Sequence, residues 1–446
     1  MSRISPRTLP QALLDRYQTS GPRYTSYPTA PQFQADFDRD EVLSRFRESN
    51  QRGAGISLYL HLPFCRSRCR YCGCYTLLGY EEAGRRQYVE AVLNQADWVL
   101  ESLDGTRPME QLAMGGGTPT SLAPETMRYL VEGLQQRFNF SPTREQAIEI
   151  DPRWVDNAYL DLLLELGFNR VSFGLQDLNC DVQENINRVL PFATIESHMR
   201  HLRDHGLEAT NLDLIYGLPG QTPATFARTI EQVISLRPSR IATFGYAHVP
   251  WVSPHQKELE PFGLPSTEER MELFGLAYEM LLDAGWRHVG MDHFALPEDE
   301  LVLALESRTL TRNFMGYTTR HGLDLVGLGA SAIGSVNGTY VQNEKVVPAF
   351  EAASGVARWV RGYAMSREDS LRRDVIMALF CNFHLDIGLM EESHGIVFKE
   401  HFAWELEQLG PMREDGLVEW DEKEIRVSNM GHFFVRSVVD PTLENA

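Results

Sequence analysis

Short apolar, β-branched runs recur along the first two thirds of the chain, at Ile56 to Leu62, Gln111 to Met114, Ala147 to Ile150, Val171 to Leu175, Leu212 to Ile215, Ile241 to Ala247 and His288 to Met291. The segments between them carry a different period. Arg86 to Leu103, Pro124 to Phe138, Trp154 to Leu166, Ile195 to His205, Pro223 to Leu236 and Thr267 to Ala284 place apolar residues three and four apart, the spacing that gives a helix one apolar face. Strand and helix alternating in this way predict an α/β fold with a parallel sheet and right-handed crossovers, most simply a complete or partial (β/α) barrel. Active sites on such barrels gather at the C-terminal ends of the strands.

The residues that leave each expected strand fit that rule. The first exits through His61 and a cysteine-rich loop, the second through Gly115-Gly116-Gly117-Thr118-Pro119, the third through Glu149 and Asp151, and the fourth through Gln176 and Asp177. The fifth carries Asp213, the sixth Tyr246 to His248 and the seventh Asp292 and His293. Any one of these taken alone reads as a helix cap or a satisfied loop residue. Seven in succession on one rim are hard to ascribe to capping. The glycine run is neither a G-x-G-x-x-G turn nor a P-loop, but it lets backbone N–H and C=O groups approach a ligand without obstruction by Cβ.

Chemistry enters with the cysteines. Cys65-x3-Cys69-x2-Cys72 delivers three thiolates from one loop directly after the first strand. Three thiolates on a [4Fe-4S] cluster leave one iron open to a non-protein ligand. A zinc site would need a second Cys/His half, and Cys180 and Cys381 stand alone. Cys74 is the ambiguous member; a fourth thiolate would close the reactive iron, which favours a role beside the cluster instead.

Length and charge frame the rest. A chain of 446 residues exceeds one ordinary domain. Its formal charge of -19 disfavours nucleic acid, whose affinity comes from basic residues on phosphates. Met1 to Pro10 lacks an apolar run and no stretch reaches membrane-spanning length, so a cytoplasmic protein is expected. Three parts are expected: 1–50 as an N-terminal segment folding across the site, 51–365 as the barrel, and 366–446 as a small, mostly helical domain. In that last part, helices over Leu371 to Asn382 and Phe398 to Leu409 and the apolar pairs at Leu417-Val418 and Ile425 to Val427 suggest a winged helix. Glu414, Asp415, Glu419, Asp421, Glu422 and Glu424 crowd its wing, which favours a lid over a DNA-binding module.

The cysteine spacing with Tyr71 before its last member, followed by Gly116-Gly117-Thr118-Pro119, resembles the radical S-adenosylmethionine superfamily. The segments Gly21 to Pro28, Tyr59 to Cys65, Cys72-Gly-Cys74, Asp213 to Pro219 and Gly290 to Phe294 are similar to a narrower group, the oxygen-independent coproporphyrinogen III oxidases. The resemblance implies a [4Fe-4S] cluster on Cys65, Cys69 and Cys72. It implies S-adenosylmethionine, in one or two copies, near Tyr59, Tyr71, Gly116, Gly117, Thr118, Glu149, Gln176, Arg188, Asp213, Ala247 and Ile333. Tyr59 and His61 are implied at the reacting centre. The implied reaction is radical decarboxylation of two propionates of a porphyrinogen to vinyls, in a monomer served by an electron donor such as flavodoxin or ferredoxin. A related enzyme acting on haem or another tetrapyrrole, and a non-catalytic haem carrier, are the competing readings. One position departs from the family: Met315 stands where the pattern has glutamine, and a thioether cannot replace an amide's donors and acceptor.

Overall fold

The structure is a computed structural model that describes residues 4–17 and 27–444. The chain divides into two compact units. One comprises Phe33–Leu273 with Gly322–Ala364; the other gathers the described part of the first 32 residues, Phe274–His321 and Met365–Ala446.

The first unit is built on parallel strands β1 (Ile56–Leu62), β2 (Pro108–Gly116), β3 (Asn139–Ile150), β4 (Arg170–Gln176), β5 (Thr210–Tyr216) and β6 (Arg240–Gly245), which neighbour one another in chain order. Each pair is parallel. The apolar run makes β1 central: Ile56, Leu58, Leu60 and Leu62 are all fully buried, as expected of a strand covered on both faces. Helices Glu82–Val99, Pro124–Gln135, Asn157–Glu165, Phe192–Asp204 and Pro223–Leu236 fill the crossovers. The helix expected from Trp154 begins later, because Pro152–Trp154 forms a 3-10 turn and Asp156 caps the helix proper by accepting from Tyr159 N–H.

The sheet holds strands that the apolar pattern did not mark, and one expected strand is corrected. On the far side of β1 the sheet continues through Asp324–Leu328, Ile333–Val336, Thr339–Asn343 and Trp359–Ala364; the first is parallel to β1 and the others follow antiparallel. The expected seventh strand does not extend the parallel series. Arg287–Gly290 turns back on His293–Ala295 as an antiparallel hairpin in the second unit, so Asp292 and His293 sit in and after a tight turn. The expected complete or partial barrel is the partial one, since the parallel strands belong to a sheet with two ends.

In the second unit, helix Arg367–Asn382 starts at Ser366, whose hydroxyl and N–H exchange hydrogen bonds with Asp369. A three-stranded antiparallel sheet, His384–Asp386, Glu424–Val427 and Val418–Trp420, accompanies it. The helix expected over Phe398 to Leu409 is two, Phe398–His401 and Ala403–Gln408, broken where Phe402 leaves helical geometry. Helix Gln11–Tyr17 is tied to this unit by Arg16 and the Tyr17 hydroxyl, both 2.6 Å from Asp415. Of the motif Gly21 to Pro28, residues 21–26, including Arg23, lie outside the described residues. Among the described residues no helix is long and apolar enough to cross a membrane.

Candidate functional site

The loop after β1 is fixed by other strands' ends. Gly117 N–H and Thr118 N–H donate to Leu62 and Phe64 carbonyls at 2.8 Å each, and Cys65 N–H donates to Leu77 at 2.9 Å. Arg70 N–H donates to Ile186 and its guanidinium to the Glu184 and Asn185 carbonyls. From beyond β6, Gln256 Nε2 donates to the Tyr71 carbonyl and His255 Nε2 to that of Cys72, each at 2.8 Å. A loop held through its backbone at so many points presents its side chains in one arrangement.

Those side chains include three thiols in distinct surroundings. Cys65 Sγ lies 3.5 Å from Thr118 Oγ1, and burial pushes its thiol up to about 11. Cys69 Sγ faces Arg188 Nη1 at 3.4 Å and Arg153 Nη2 at 3.6 Å. A hydrogen bond from Cys74 pulls Cys72 down to about 6 against burial, and pushes Cys74 up in turn. All six cysteines are free. Soft sulfur donors of this kind suit an iron–sulfur cluster, with guanidinium charge already facing one of the sulfurs.

The second strand brings its glycines against this loop. Gly116 has φ +109°, and a Cβ there would lie 2.6 to 2.8 Å from the His61 imidazole. A Cβ on Gly117 would lie 2.7 Å from the Pro63 carbonyl carbon, and one on Gly115 would lie 2.8 Å from the Glu149 carboxyl. Only glycine therefore allows this close approach. Gly116 N–H donates to Glu149 Oε2 at 3.2 Å. Glu149 keeps solvent-exposed surface although protein atoms crowd around it; burial and the neighbouring Asp213 charge push its carboxyl up to about 7. Asp213 accepts from Ser172 Oγ at 3.0 Å and Asn211 Nδ2 at 2.7 Å, yet burial still raises it.

Beside Glu149, Tyr59 OH meets His61 Nδ1 at 3.2 Å, and His61 Nε2 points at the Tyr75 carbonyl at 3.4 Å. A carbonyl can only accept, so Nε2 carries the proton and the Tyr59 hydroxyl donates to Nδ1. Burial pushes His61 down to about 4 and Tyr59 far up, so both are neutral at physiological pH.

At the ends of β3 and β4, Asp151 Oδ2 accepts from Arg153 Nη2 at 2.7 Å and Arg188 Nη1 at 2.9 Å, the same nitrogens that face Cys69. Arg188 also donates to the Gly174 carbonyl from Nε and Nη2. Gln176, at φ +70°, has its amide nitrogen against Gly174 beside Arg188. Tyr71 packs on an apolar cluster of Val182, Ile186, Ile215, Leu218, Tyr246 and Leu259. The Ala247 carbonyl accepts from the same Gln256 amide as that of Tyr71. The backbone carbonyl of Ile333 lies against Gly327, the residue paired with Tyr59.

Most of the expected residues are thus brought together by direct contacts. Asp177 is the exception on the same rim: fully buried, it accepts from Gln221, Thr229 and Asn179 N–H and is a structural carboxylate. Arg153, His255 and Gln256 are site residues that the sequence did not suggest. Only the Asp-Pro-Arg turn after β3 held a signal, since its i, i+2 spacing lets Arg153 fold back on Asp151.

A family model for the Radical SAM superfamily matches residues 59–233. The chain is 41% identical over 430 residues to an oxygen-independent coproporphyrinogen III oxidase of Salmonella typhimurium, covering 96% of this chain and 93% of that one. It is 40% identical to the Pseudomonas aeruginosa protein of the same name, covering 96% and 94%. The solved structure of coproporphyrinogen III oxidase from Escherichia coli, a radical SAM enzyme, superposes with a TM-score of 0.92 at 37% identity, covering 97% and 98% of the two chains.

Proposed function

The chain belongs to the oxygen-independent coproporphyrinogen III oxidases of the radical SAM superfamily, and on that premise we propose that it converts coproporphyrinogen III to protoporphyrinogen IX, turning two propionates into vinyls. The observation that carries the reading is the fixed three-thiol loop against a glycine cradle that has no room for a side chain.

Family membership implies a [4Fe-4S] cluster and S-adenosylmethionine. We assign Cys65, Cys69 and Cys72 to the cluster, leaving Cys74 as the hydrogen-bond partner of Cys72. To S-adenosylmethionine, in one or two copies, we assign the backbone of Gly116 and Gly117, with Tyr59, Tyr71, Thr118, Glu149, Gln176, Arg188, Asp213, Ala247 and Ile333. When bound and reduced, this pair of groups would supply the 5'-deoxyadenosyl radical to take hydrogen from the propionate carbon β to its carboxylate, and loss of CO2 and of one electron to an acceptor would leave each vinyl. Glu149 and Asp213 accept hydrogen bonds from an ammonium or ribose hydroxyls once ionised. Arg188 donates to a carboxylate while Asp151 holds its other face. His61 and Tyr59 remain neutral and hydrogen-bonded to each other, a fixed polar pair that positions the substrate without offering a competing charge.

The remaining roles are proposals of the same reading: residues 1–50 and 366–446 cover the opening, and the protein works in the cytoplasm as a monomer that draws electrons from a flavodoxin- or ferredoxin-type donor. The test is anaerobic incubation of cluster-loaded protein with reductant, S-adenosylmethionine and coproporphyrinogen III, read by mass spectrometry. Protoporphyrinogen IX with matching 5'-deoxyadenosine is expected; 5'-deoxyadenosine without decarboxylated product would point to another tetrapyrrole, and neither product would overturn the reading.

A further inference from the structure

On the outside of the first unit, three side chains from two helices converge away from the cysteine loop. Asp161 lies on helix Asn157–Glu165; His201 lies in the last turn of helix Phe192–Asp204, and His205 follows as its C-cap. The histidines are four residues apart, so their side chains share one helical face, with ring centroids 4.4 Å apart. His201 Nε2 is 2.7 Å from Asp161 Oδ1. One donor atom from each of the three lies within 4.8 Å of the others.

The hydrogen bonding of His205 adds a separate observation. Its Nδ1 is 2.8 Å from the His201 carbonyl, so Nδ1 carries the proton and Nε2 is left with a free lone pair. That is how metal-ligating histidines are usually fixed, one ring nitrogen donating to a backbone carbonyl while the other binds.

We propose that Asp161, His201 and His205 form a binding site for a divalent transition ion of the Zn2+ or Ni2+ class, separate from the site of the reaction. Two imidazoles and one carboxylate select such ions over Mg2+ and Ca2+, which prefer oxygen donors. Three protein ligands leave the remaining positions to water, and the half-exposed Asp161 keeps the site open to solvent. Binding replaces the Nε2–H that His201 donates to Asp161: that proton passes to solvent, Nδ1 takes one up so that the ring stays neutral, and the metal occupies the freed Nε2 lone pair.

The place of the site says what it would do. From His205 the chain runs directly into β5 at Thr210, so the site lies toward the N-terminal ends of the strands, the rim opposite the cysteine loop. On barrels of this kind, that end contributes stability and not chemistry. An ion here clips the helix before β4 to the helix before β5, and an ion that binds only the folded chain raises its stability by mass action.

Calorimetric titration of the cluster-loaded protein with Ni2+ and with Zn2+, under anaerobic conditions, tests this. One equivalent is expected to bind the unmodified protein and raise its unfolding temperature, with no response to Mg2+. His205→Ala and His201→Asn are each expected to weaken binding by more than the ~10-fold that even outer partners of a metal cost. His205 is exposed, and an unchanged iron content with an unchanged metal-free unfolding temperature will show that the variant folds. The proposal is overturned if the unmodified protein takes up neither ion, or if His205→Ala binds as tightly as before. It is equally overturned if Cys180→Ser, removing an exposed thiol, is the change that abolishes binding.

Discussion

Replacing Asp151 with asparagine removes one negative charge from between two guanidiniums while nearly preserving shape. The side chains of Asp151, Arg188 and Arg153 are 5%, 6% and 11% exposed, so this is a buried charge cluster. Removing one partner of a buried pair costs about 3–5 kcal/mol, because the other charge is left uncompensated. Three features place Asp151→Asn near the low end of that range. Arg188 keeps the Gly174 carbonyl, Arg153 keeps some contact with water, and the asparagine oxygen still accepts one hydrogen bond. The unit that holds Asp151, Phe33–Leu273 with Gly322–Ala364, is larger than about 250 residues, so each kcal/mol shifts its unfolding temperature by about 1–2 °C, and a loss of about 3 kcal/mol gives a fall of roughly 3–6 °C. The nitrogens released from Asp151 are those that face Cys69 Sγ, so iron content should fall as well. Burial pushes the Asp151 carboxyl up, but the hydrogen bonds and charges of Arg153 and Arg188 outweigh it and hold the group below the usual range. A depressed carboxylate stabilises the fold above its unfolded value of about 3.9, and that contribution disappears only as pH falls through the lower folded value. The gap between the two proteins should therefore stay constant across neutral pH and close only in acid. Anaerobic thermal scans at several pH values, with iron and sulfide assays, read both effects. An asparagine variant that melts within about 2 °C of the parent and keeps its iron would refute the account.

Four further changes probe other parts of the site. Cys65→Ser, Cys69→Ser and Cys72→Ser should each abolish cluster retention while Cys74→Ser keeps its iron; a Cys74 variant as iron-poor as the others would show it to be a ligand. Gly117→Ala drives a Cβ into the Pro63–Phe64 backbone and should lower both unfolding temperature and iron content, whereas Gly73→Ala, with open space around it, should change neither; equal behaviour of the two would contradict the cradle. Glu149, raised from 4.5 to about 7, makes the folded chain bind more protons than the unfolded one in that window, so stability should decline as pH climbs through it and Glu149→Gln should flatten the slope; a slope that survives the substitution assigns it elsewhere. Met315 sits in the turn between Thr311–Asn313 and Gly316–Thr318, partly exposed, with its N–H on Asn313 Oδ1, so Met315→Gln should shift stability by less than about 0.5 kcal/mol while changing the ratio of 5'-deoxyadenosine to product; an unchanged ratio and rate would make it a surface position.

The six parallel strands were legible because a strand covered on both faces must be apolar almost throughout, as β1 is. The four strands from Asp324 to Ala364 were not, and their residues say why. Gly327 and Gly334 break the apolar pattern because their backbones pack directly against each other's strands, leaving no room for Cβ. Gln342 and Asn343 look like loop residues, yet Asn343 is buried with its amide on the Gly327 and Gly329 carbonyls and Gln95 donating to its oxygen. A hydropathy pattern counts such a residue as exposed, whereas its burial is compensated by hydrogen bonds to groups far away in the chain. The converse error occurred at His288 to Met291, an apolar run with the right spacing whose partner is its own hairpin.

In the site, what could be read was what is local in sequence: three thiols within eight residues and a glycine run. Arg188 and Ile333 became candidates only through family resemblance, since nothing in their own neighbourhood marks them. His255 and Gln256 could not be found by either route, because they act on the carbonyls of Cys72 and Tyr71 and backbone recognition leaves no pattern in the recognised residues. Asp177 and Asp151 make the limit plain, as two aspartates that both follow strand ends on one rim. Around Asp177, a glutamine amide, a threonine hydroxyl and a backbone N–H fill the carboxylate, and its influence stops there. Around Asp151, the donors are guanidiniums whose same nitrogens reach on to a cysteine sulfur. Position at a strand's end therefore selects candidates, and the charge of the partners decides which carboxylate can act on the chemistry beyond it.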